Sequence, residues 1–179
     1  MQGLPVELQE EILLSLKEPE DLYRACSSSR QNRAICSSDA FWREKFRREN
    51  LPLLNLEDFG PTGFVSWLNL YNKSLLAASV ADERIGNMFE LRTNLLKEPI
   101  KVEGLHIRDL WKRTGVEREY IIRFIPQEDF YLVDVLVELR KVLPLETRVV
   151  VNRVDKRKVL SSKDVWFVIY QMALLDYPF

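Results

Sequence analysis

Residues that often mark catalytic or nucleotide-binding sites are scarce in this 179-residue sequence, which has one histidine, two cysteines and six glycines. No nucleophile motif lies near the histidine, His106, and the glycines form neither a GxGxxG loop nor a P-loop. The sequence therefore supports neither a catalytic triad nor a nucleotide-binding site. We expect a protein that is not an enzyme and that needs no cofactor.

The cysteines, Cys26 and Cys36, lie ten residues apart and form no CxxC pair. This spacing argues against a disulfide framework and against a zinc site, and His106 with Asp109 supplies too few ligands for another metal. The sequence therefore predicts no metal site. A reducing, intracellular setting is the simpler interpretation of two isolated cysteines.

Long apolar runs and an excess of charge of one sign are also absent. The longest apolar stretch, Val165 to Leu175, is interrupted by Gln171 and is shorter than the roughly 18 to 20 residues that span a bilayer. The 26 basic and 27 acidic residues give a formal charge of −1, so no overall field favours nucleic acid or an anionic membrane. With 46% hydrophobic residues the chain can bury an ordinary core, and we expect neither a membrane anchor nor disorder.

The N-terminal third has helical periodicity. Apolar residues at helical spacing predict a first helix from Pro5 to about Leu16, and Pro19 can open a second. A further helical piece through Cys36, one that begins near Asp39 and one from Phe64 to about Ala78 follow.

The pattern changes in the second half. Residues 119–125 are β-branched and aromatic and predict a strand, whereas residues 128–143 predict a long helix stopped by Pro144. A polar turn at residues 155–157 predicts a hairpin between strands at 148–152 and 158–161, and a final helix is expected from Lys163 to Tyr177. From about residue 99 the expected order is strand, helix, strand, helix, hairpin and helix.

An ordered set of residues between positions 3 and 48 resembles the F-box family. In that family a Leu-Pro pair opens the first helix, aliphatic residues follow at helical spacing, an Asp-Leu pair marks the second helix and a Trp closes the motif. The corresponding residues here are Leu4-Pro5, Leu8, Ile12-Leu13, Leu16, Asp21-Leu22 and Phe41-Trp42. Ser28-Ser29 and Asn32 depart from the apolar, cysteine and aromatic residues usual in the third helix, which predicts looser packing there.

The resemblance implies a helical module that docks on the Skp-type adaptor of a cullin–RING ubiquitin ligase, while the rest of the chain holds an unidentified target protein. The adaptor-binding residues that it implies are Leu4, Pro5, Leu8, Ile12, Leu13, Leu22 and Trp42. Helix-in-groove recognition gives the physical reason, because exposed aliphatic residues such as Leu4, Leu8 and Leu22 can bury an apolar stripe on a partner. The alternative is that these residues form only the private core of a helical bundle.

The run from Phe41 to Phe46, with Ser66-Trp67 and Leu70-Tyr71 after it, also resembles the short F-box-like proteins of large nucleocytoplasmic DNA viruses. Two functional hypotheses follow. The first is an interaction adaptor in the cytoplasm or nucleus of a eukaryotic host cell. The second is a structural or minor virion protein that uses the helical module for assembly contacts.

The expected fold class is α+β, with an N-terminal all-α module followed by a small α+β domain. We assign residues 1–50 to the F-box-like module, residues 51–81 to a helical extension or linker and residues 82–179 to the target-binding domain. In the last of these, a basic group at Arg153, Lys156, Arg157 and Lys158 could make a weak contact with an anion. Because Asp155 dilutes it, we do not expect nucleic-acid binding.

Overall fold

The computed structural model describes residues 4–54, 61–97, 99–115, 118–142 and 147–178. The first half is helical, with α1 Val6–Ser15, α2 Pro19–Ser27, α3 Arg30–Cys36, α4 Asp39–Arg48 and α5 Phe64–Arg84. The second half contains β1 Phe89–Arg92, α6 Ile107–Arg113, β2 Arg118–Pro126, β3 Phe130–Val142, β4 Thr147–Ser161 and α7 Ser162–Leu174. Helices followed by an antiparallel sheet make this an α+β protein, as the sequence predicts.

The chain divides into two compact units, Met1–Leu76 and Ala77–Phe179. The division of the chain into residues 1–50, 51–81 and 82–179 rests on sequence and stays a prediction.

The first unit is built on an aromatic cluster. The indole of Trp42 on α4 is fully buried, with its ring centroid 6.1 Å from that of Trp67 and 5.9 Å from that of Tyr71, both on α5. The indole N–H of Trp42 donates to the carbonyl of Cys36 over 2.7 Å, and that of Trp67 donates to Asp39 Oδ1 over 3.1 Å. Helix α5 therefore completes the core that α1 to α4 begin.

The starts predicted for α1, α2, α4 and α5 are confirmed to within one residue. Pro5 is the N-cap of α1, and Pro19 occupies the first turn of α2, where a missing N–H costs nothing. The residues that depart from the F-box pattern join α2 to α3: Ser29 accepts from the Asn32 N–H over 3.0 Å, and the Asn32 amide donates to the Ala25 carbonyl over 2.9 Å. Polar contacts replace apolar ones there.

A disulfide joins Cys26 on α2 to Cys36 on α3, and both residues are fully buried. The sequence argument against a disulfide is therefore wrong at this pair, because the turn between the two helices brings cysteines that are ten residues apart face to face.

We predict that reduction lowers the free energy of unfolding by about 2 to 3 kcal/mol, the effect expected from opening a loop of about ten residues. Urea titration followed by circular dichroism, with and without a phosphine reductant, measures this difference. The variant Cys26→Ala/Cys36→Ala is the control and should not respond to the reductant. An unchanged midpoint for the native chain in reductant would contradict the prediction.

The second unit contains a four-stranded antiparallel sheet in the order β1-β2-β3-β4. The buried residues Tyr120, Ile122 and Phe124 alternate along β2, and their partners on β3 are Val137, Val135 and Val133. Helix α7 contacts β3 and β4 and supplies buried residues such as Val165 and Ile169. Both the strand at 119–125 and the last helix, whose N-cap Ser161 accepts from the Asp164 N–H, are confirmed.

Three expectations for this half are wrong. Strand β3, Phe130–Val142, lies where a helix was predicted over residues 128–143. Both sets of alternating residues along this strand include apolar ones, so their spacing also fits a helical pattern. The polar turn predicted at residues 155–157 lies inside the single strand β4, opposite a register shift between Val135 and Val137. The first strand is β1 at residues 89–92, before the position expected near residue 99.

Candidate protein-interaction surface

Helix α1 is apolar on two opposite sides. Leu13 and Leu14 point into the core and are 2% and 6% exposed. Leu8 and Ile12, one turn apart on the other side, are 52% and 51% exposed. With Leu4, 55% exposed just before the helix, they form an aliphatic stripe. We call Leu4, Pro5, Leu8 and Ile12 the α1 stripe.

The other predicted adaptor-binding residues lie elsewhere. Leu13 is 2% exposed, and Leu22 and Trp42 are fully buried, so these three side chains hold the unit together and present no surface to a partner. The expectation that Leu22 is exposed is wrong, because α2 turns this residue into the core beside the buried Cys26.

Polar contacts hold α1 at its start and near its middle. The Gln9 amide donates to the carbonyl of Leu4 over 2.7 Å and so holds the residues before the helix against its first turns. The Arg48 guanidinium on α4 donates to Glu11 over 2.6 Å and 2.9 Å. Hydrogen bonds from Arg47 and Arg48 lower the pKa of Glu44 to about 2, so this carboxylate stays charged at physiological pH.

Tyr23 is a further exposed residue that sequence reasoning missed. It is 51% exposed, its ring stacks on Phe64 with centroids 5.9 Å apart, and it borders a cleft of about 350 Å³ between α2 and α5. The sequence did offer one indication of an interface residue here, because tyrosine is common in protein interfaces.

A buried polar network lies at the C-terminal end of α1. The fully buried Lys45 Nζ donates to the Leu14 carbonyl over 3.1 Å, to the Leu16 carbonyl and to Glu49 Oε1. The Tyr71 hydroxyl lies 2.7 Å from Glu49 Oε2 and 3.0 Å from the Lys17 carbonyl. Burial, followed by the hydrogen bond with Glu49, raises the pKa of Tyr71, so the phenol stays protonated. We call Lys45, Glu49 and Tyr71 the α1 anchor.

Residues 1–48 match the F-box-like family model. F-box domains bind Skp-type adaptors in cullin–RING ligases and are typically non-catalytic. The match supports a protein-interaction adaptor of this type, and it gives no support to a viral origin. No curated protein and no solved structure matches the chain.

The matched F-box-like segment contains α1 to α4 but is shorter than the unit to which it belongs. Glu49 of the α1 anchor lies just beyond it, and Trp67 and Tyr71 lie on α5. The F-box-like helices of this chain are therefore completed by residues that the family model does not cover.

The predicted basic group does not form one patch. Along β4 the side chain of Arg157 faces away from those of Lys156 and Lys158, because neighbouring residues on a strand alternate. Arg157 donates to both oxygens of Asp134, over 2.7 Å and 2.9 Å, and so lowers the pKa of that carboxyl group. Lys158 Nζ donates to the Gly104 carbonyl. The side chain of Arg153 lies outside the part of the chain that the structure describes.

Within the described ranges, no three His, Cys, Asp or Glu side chains come together in a way that could hold a metal ion. His106 is the N-cap residue of α6 and borders a cleft of about 470 Å³ together with Arg108 and Asp164. None of the helices in the same ranges has the length and apolar character needed to cross a bilayer.

Proposed function

We propose that this chain is a non-catalytic substrate receptor whose F-box-like module docks on the Skp-type adaptor of a cullin–RING ubiquitin ligase. The α1 stripe is the docking surface, and residues 82–179 hold the target protein. Such a receptor works inside a eukaryotic cell, in the cytoplasm or the nucleus. In a reducing compartment Cys26 and Cys36 would pack as two small buried apolar thiols.

The single observation that carries the proposal is the second apolar side of α1. A helix that only served its own core would need the side with Leu13 and Leu14, and its opposite side would normally be polar. Removing one exposed leucine side chain from water contributes about 1 to 2 kcal/mol. Burying the neighbouring aliphatic residues of the α1 stripe in a partner's groove therefore favours docking. The gain is largest if the helix is already held in place, because no entropy is then lost in ordering it.

The test compares variants that carry the same substitution on two exposed apolar surfaces of the first unit. Leu8→Asp/Ile12→Asp places two charges on the α1 stripe, whereas Val65→Asp/Leu76→Asp places them on α5, where the residues are 59% and 62% exposed. Leu22→Asp is unsuitable, because it would place a charge at a fully buried position and unfold the unit. Circular dichroism checks that each variant is folded.

We expect purified Skp-type adaptor to bind the native chain and the α5 variant equally in isothermal calorimetry. The α1 variant should bind at least about 100-fold more weakly, a loss of nearly 3 kcal/mol. Equal binding of the α1 and α5 variants would place the docking surface elsewhere, and no binding by the native chain would refute the adaptor function. The second hypothesis, an assembly role, predicts self-association through the same stripe, which analytical ultracentrifugation detects.

A further inference from the structure

We infer that the α1 anchor is a positioning device for adaptor docking, which makes α5 a functional part of the docking module. The inference rests on the proposed function for its partner but concerns different residues. None of the three anchor residues belongs to the α1 stripe, and Glu49 and Tyr71 lie outside the segment that matches the family model.

The α1 anchor binds carbonyl groups at the end of α1. The last carbonyls of a helix have no partner within the helix and need one elsewhere. The ammonium group of Lys45 donates hydrogen bonds to the carbonyls of Leu14 and Leu16. The Tyr71 hydroxyl lies 3.0 Å from the carbonyl of Lys17. The end of α1 and the turn after it are thus tied to α4 and α5 by side chains rather than by apolar packing alone.

The α1 anchor contains a buried charge pair, whose main effect is on the orientation of α1. Lys45 is fully buried, and the side chain of Glu49 is 17% exposed. Removing such a pair from water costs about as much as the attraction between the charges returns, so a buried pair is weak evidence for stability. Hydrogen bonds are directional, however, and a pair with several defined partners restricts how α1 can rotate or slide.

The orientation of α1 decides whether the α1 stripe can enter a partner's groove. The aliphatic stripe contributes to binding only if it meets the partner's groove in one orientation, and a rigid helix transmits the position of its anchored end to Leu8 and Ile12. Preorganised contact residues need support of this kind from residues that the partner never touches. The ammonium group of Lys45 also lies 5.2 Å from the centroid of the Tyr71 ring, so loss of either residue loosens the other.

The experiment uses the full chain and three single variants. Lys45→Met keeps the length of the side chain and removes the charge, and Tyr71→Phe keeps the ring and removes only the hydroxyl. The matched control, Trp67→Phe, removes the hydrogen bond to Asp39 from the same helix, α5, without touching the anchor. Affinity for purified Skp-type adaptor is measured at a temperature at which circular dichroism shows every variant folded, and amide exchange is followed in α1.

We expect Lys45→Met and Tyr71→Phe to bind the adaptor about tenfold more weakly than the native chain. Exchange should accelerate in α1, and the control should bind within about twofold of the native chain. Native affinity in both folded anchor variants, or an equal loss in the control, would overturn the inference. If the native chain does not bind, the proposed function fails, and α1 exchange alone decides on the anchor: unchanged exchange in both variants refutes it. If Lys45→Met does not fold, Tyr71→Phe carries the test.

Discussion

Replacing Trp42 with alanine should lower the free energy of unfolding of the first unit by about 3 to 5 kcal/mol. The indole is fully buried and contacts the rings of Phe41, Trp67 and Tyr71, at centroid distances of 5.3, 6.1 and 5.9 Å. Its removal leaves a cavity that the neighbouring rings cannot readily close, because hydrogen bonds to Asp39 and Glu49 hold Trp67 and Tyr71 in place. It also leaves the Cys36 carbonyl without its indole donor.

Urea titration of both proteins, followed by circular dichroism at 222 nm, a wavelength that reports helix, measures the loss. The control is Leu8→Ala, at a position that is 52% exposed, which should shift the free energy of unfolding by about 0.5 kcal/mol or less. A loss below about 1 kcal/mol for Trp42→Ala would mean that the aromatic cluster is not the core of the unit. The pair of variants thus separates a residue of the buried core of the F-box-like module from one on its surface.

Local signals in the sequence predict the helices of this unit well. Proline is tolerated at the start of a helix but not in its interior, so Pro5 and Pro19 mark helix starts. The apolar spacing between Leu8 and Leu16 is helical. The motif alone cannot assign each leucine to the core or the surface, because both kinds follow the same spacing. Leu4 and Leu8 are exposed as expected, whereas Leu22 is buried.

Sequence reasoning missed strand β3, because side chains on both sides of this inner strand are buried. On β3, Tyr131, Val133 and Val135 share one side, while Leu132, Asp134 and Leu136 share the other. Apolar residues on both sides remove the alternation that marks a strand, and their spacing then also fits a helix. The β-branched residues Val133, Val135 and Val137 were the available signal.

Contacts between distant residues were beyond the reach of local patterns. Strand β1 has only four residues, too few for a period, and it forms because it pairs with β2. The α1 anchor joins Lys45 and Glu49 to Tyr71. The sequence gives no indication that Lys45 is buried, because lysines are mostly exposed. Whether two cysteines form a disulfide likewise depends on how their helices pack, and this packing cannot be deduced from the spacing in the sequence.

Replacing Phe124 with alanine should be about as damaging in the second unit as Trp42→Ala is in the first. Phe124 is fully buried on the inner strand β2, its ring stacks on that of Phe89 with centroids 4.4 Å apart, and its partner on β3 is the buried Val133. We expect a loss of about 3 to 5 kcal/mol, because the buried ring packs against Phe89 of β1 and its removal leaves a cavity. The control, Val159→Ala, lies on β4 at a position that is 62% exposed and should change the free energy of unfolding by about 0.5 kcal/mol or less.

Amide exchange detected by mass spectrometry measures this effect strand by strand. Phe124→Ala should accelerate exchange in β1, β2 and β3. Phe124 lies on β2, and the backbone hydrogen bonds that join β2 to β1 and β3 should open more often when the buried ring is removed. Exchange in the sheet that matched that of Val159→Ala would show that the ring contributes little.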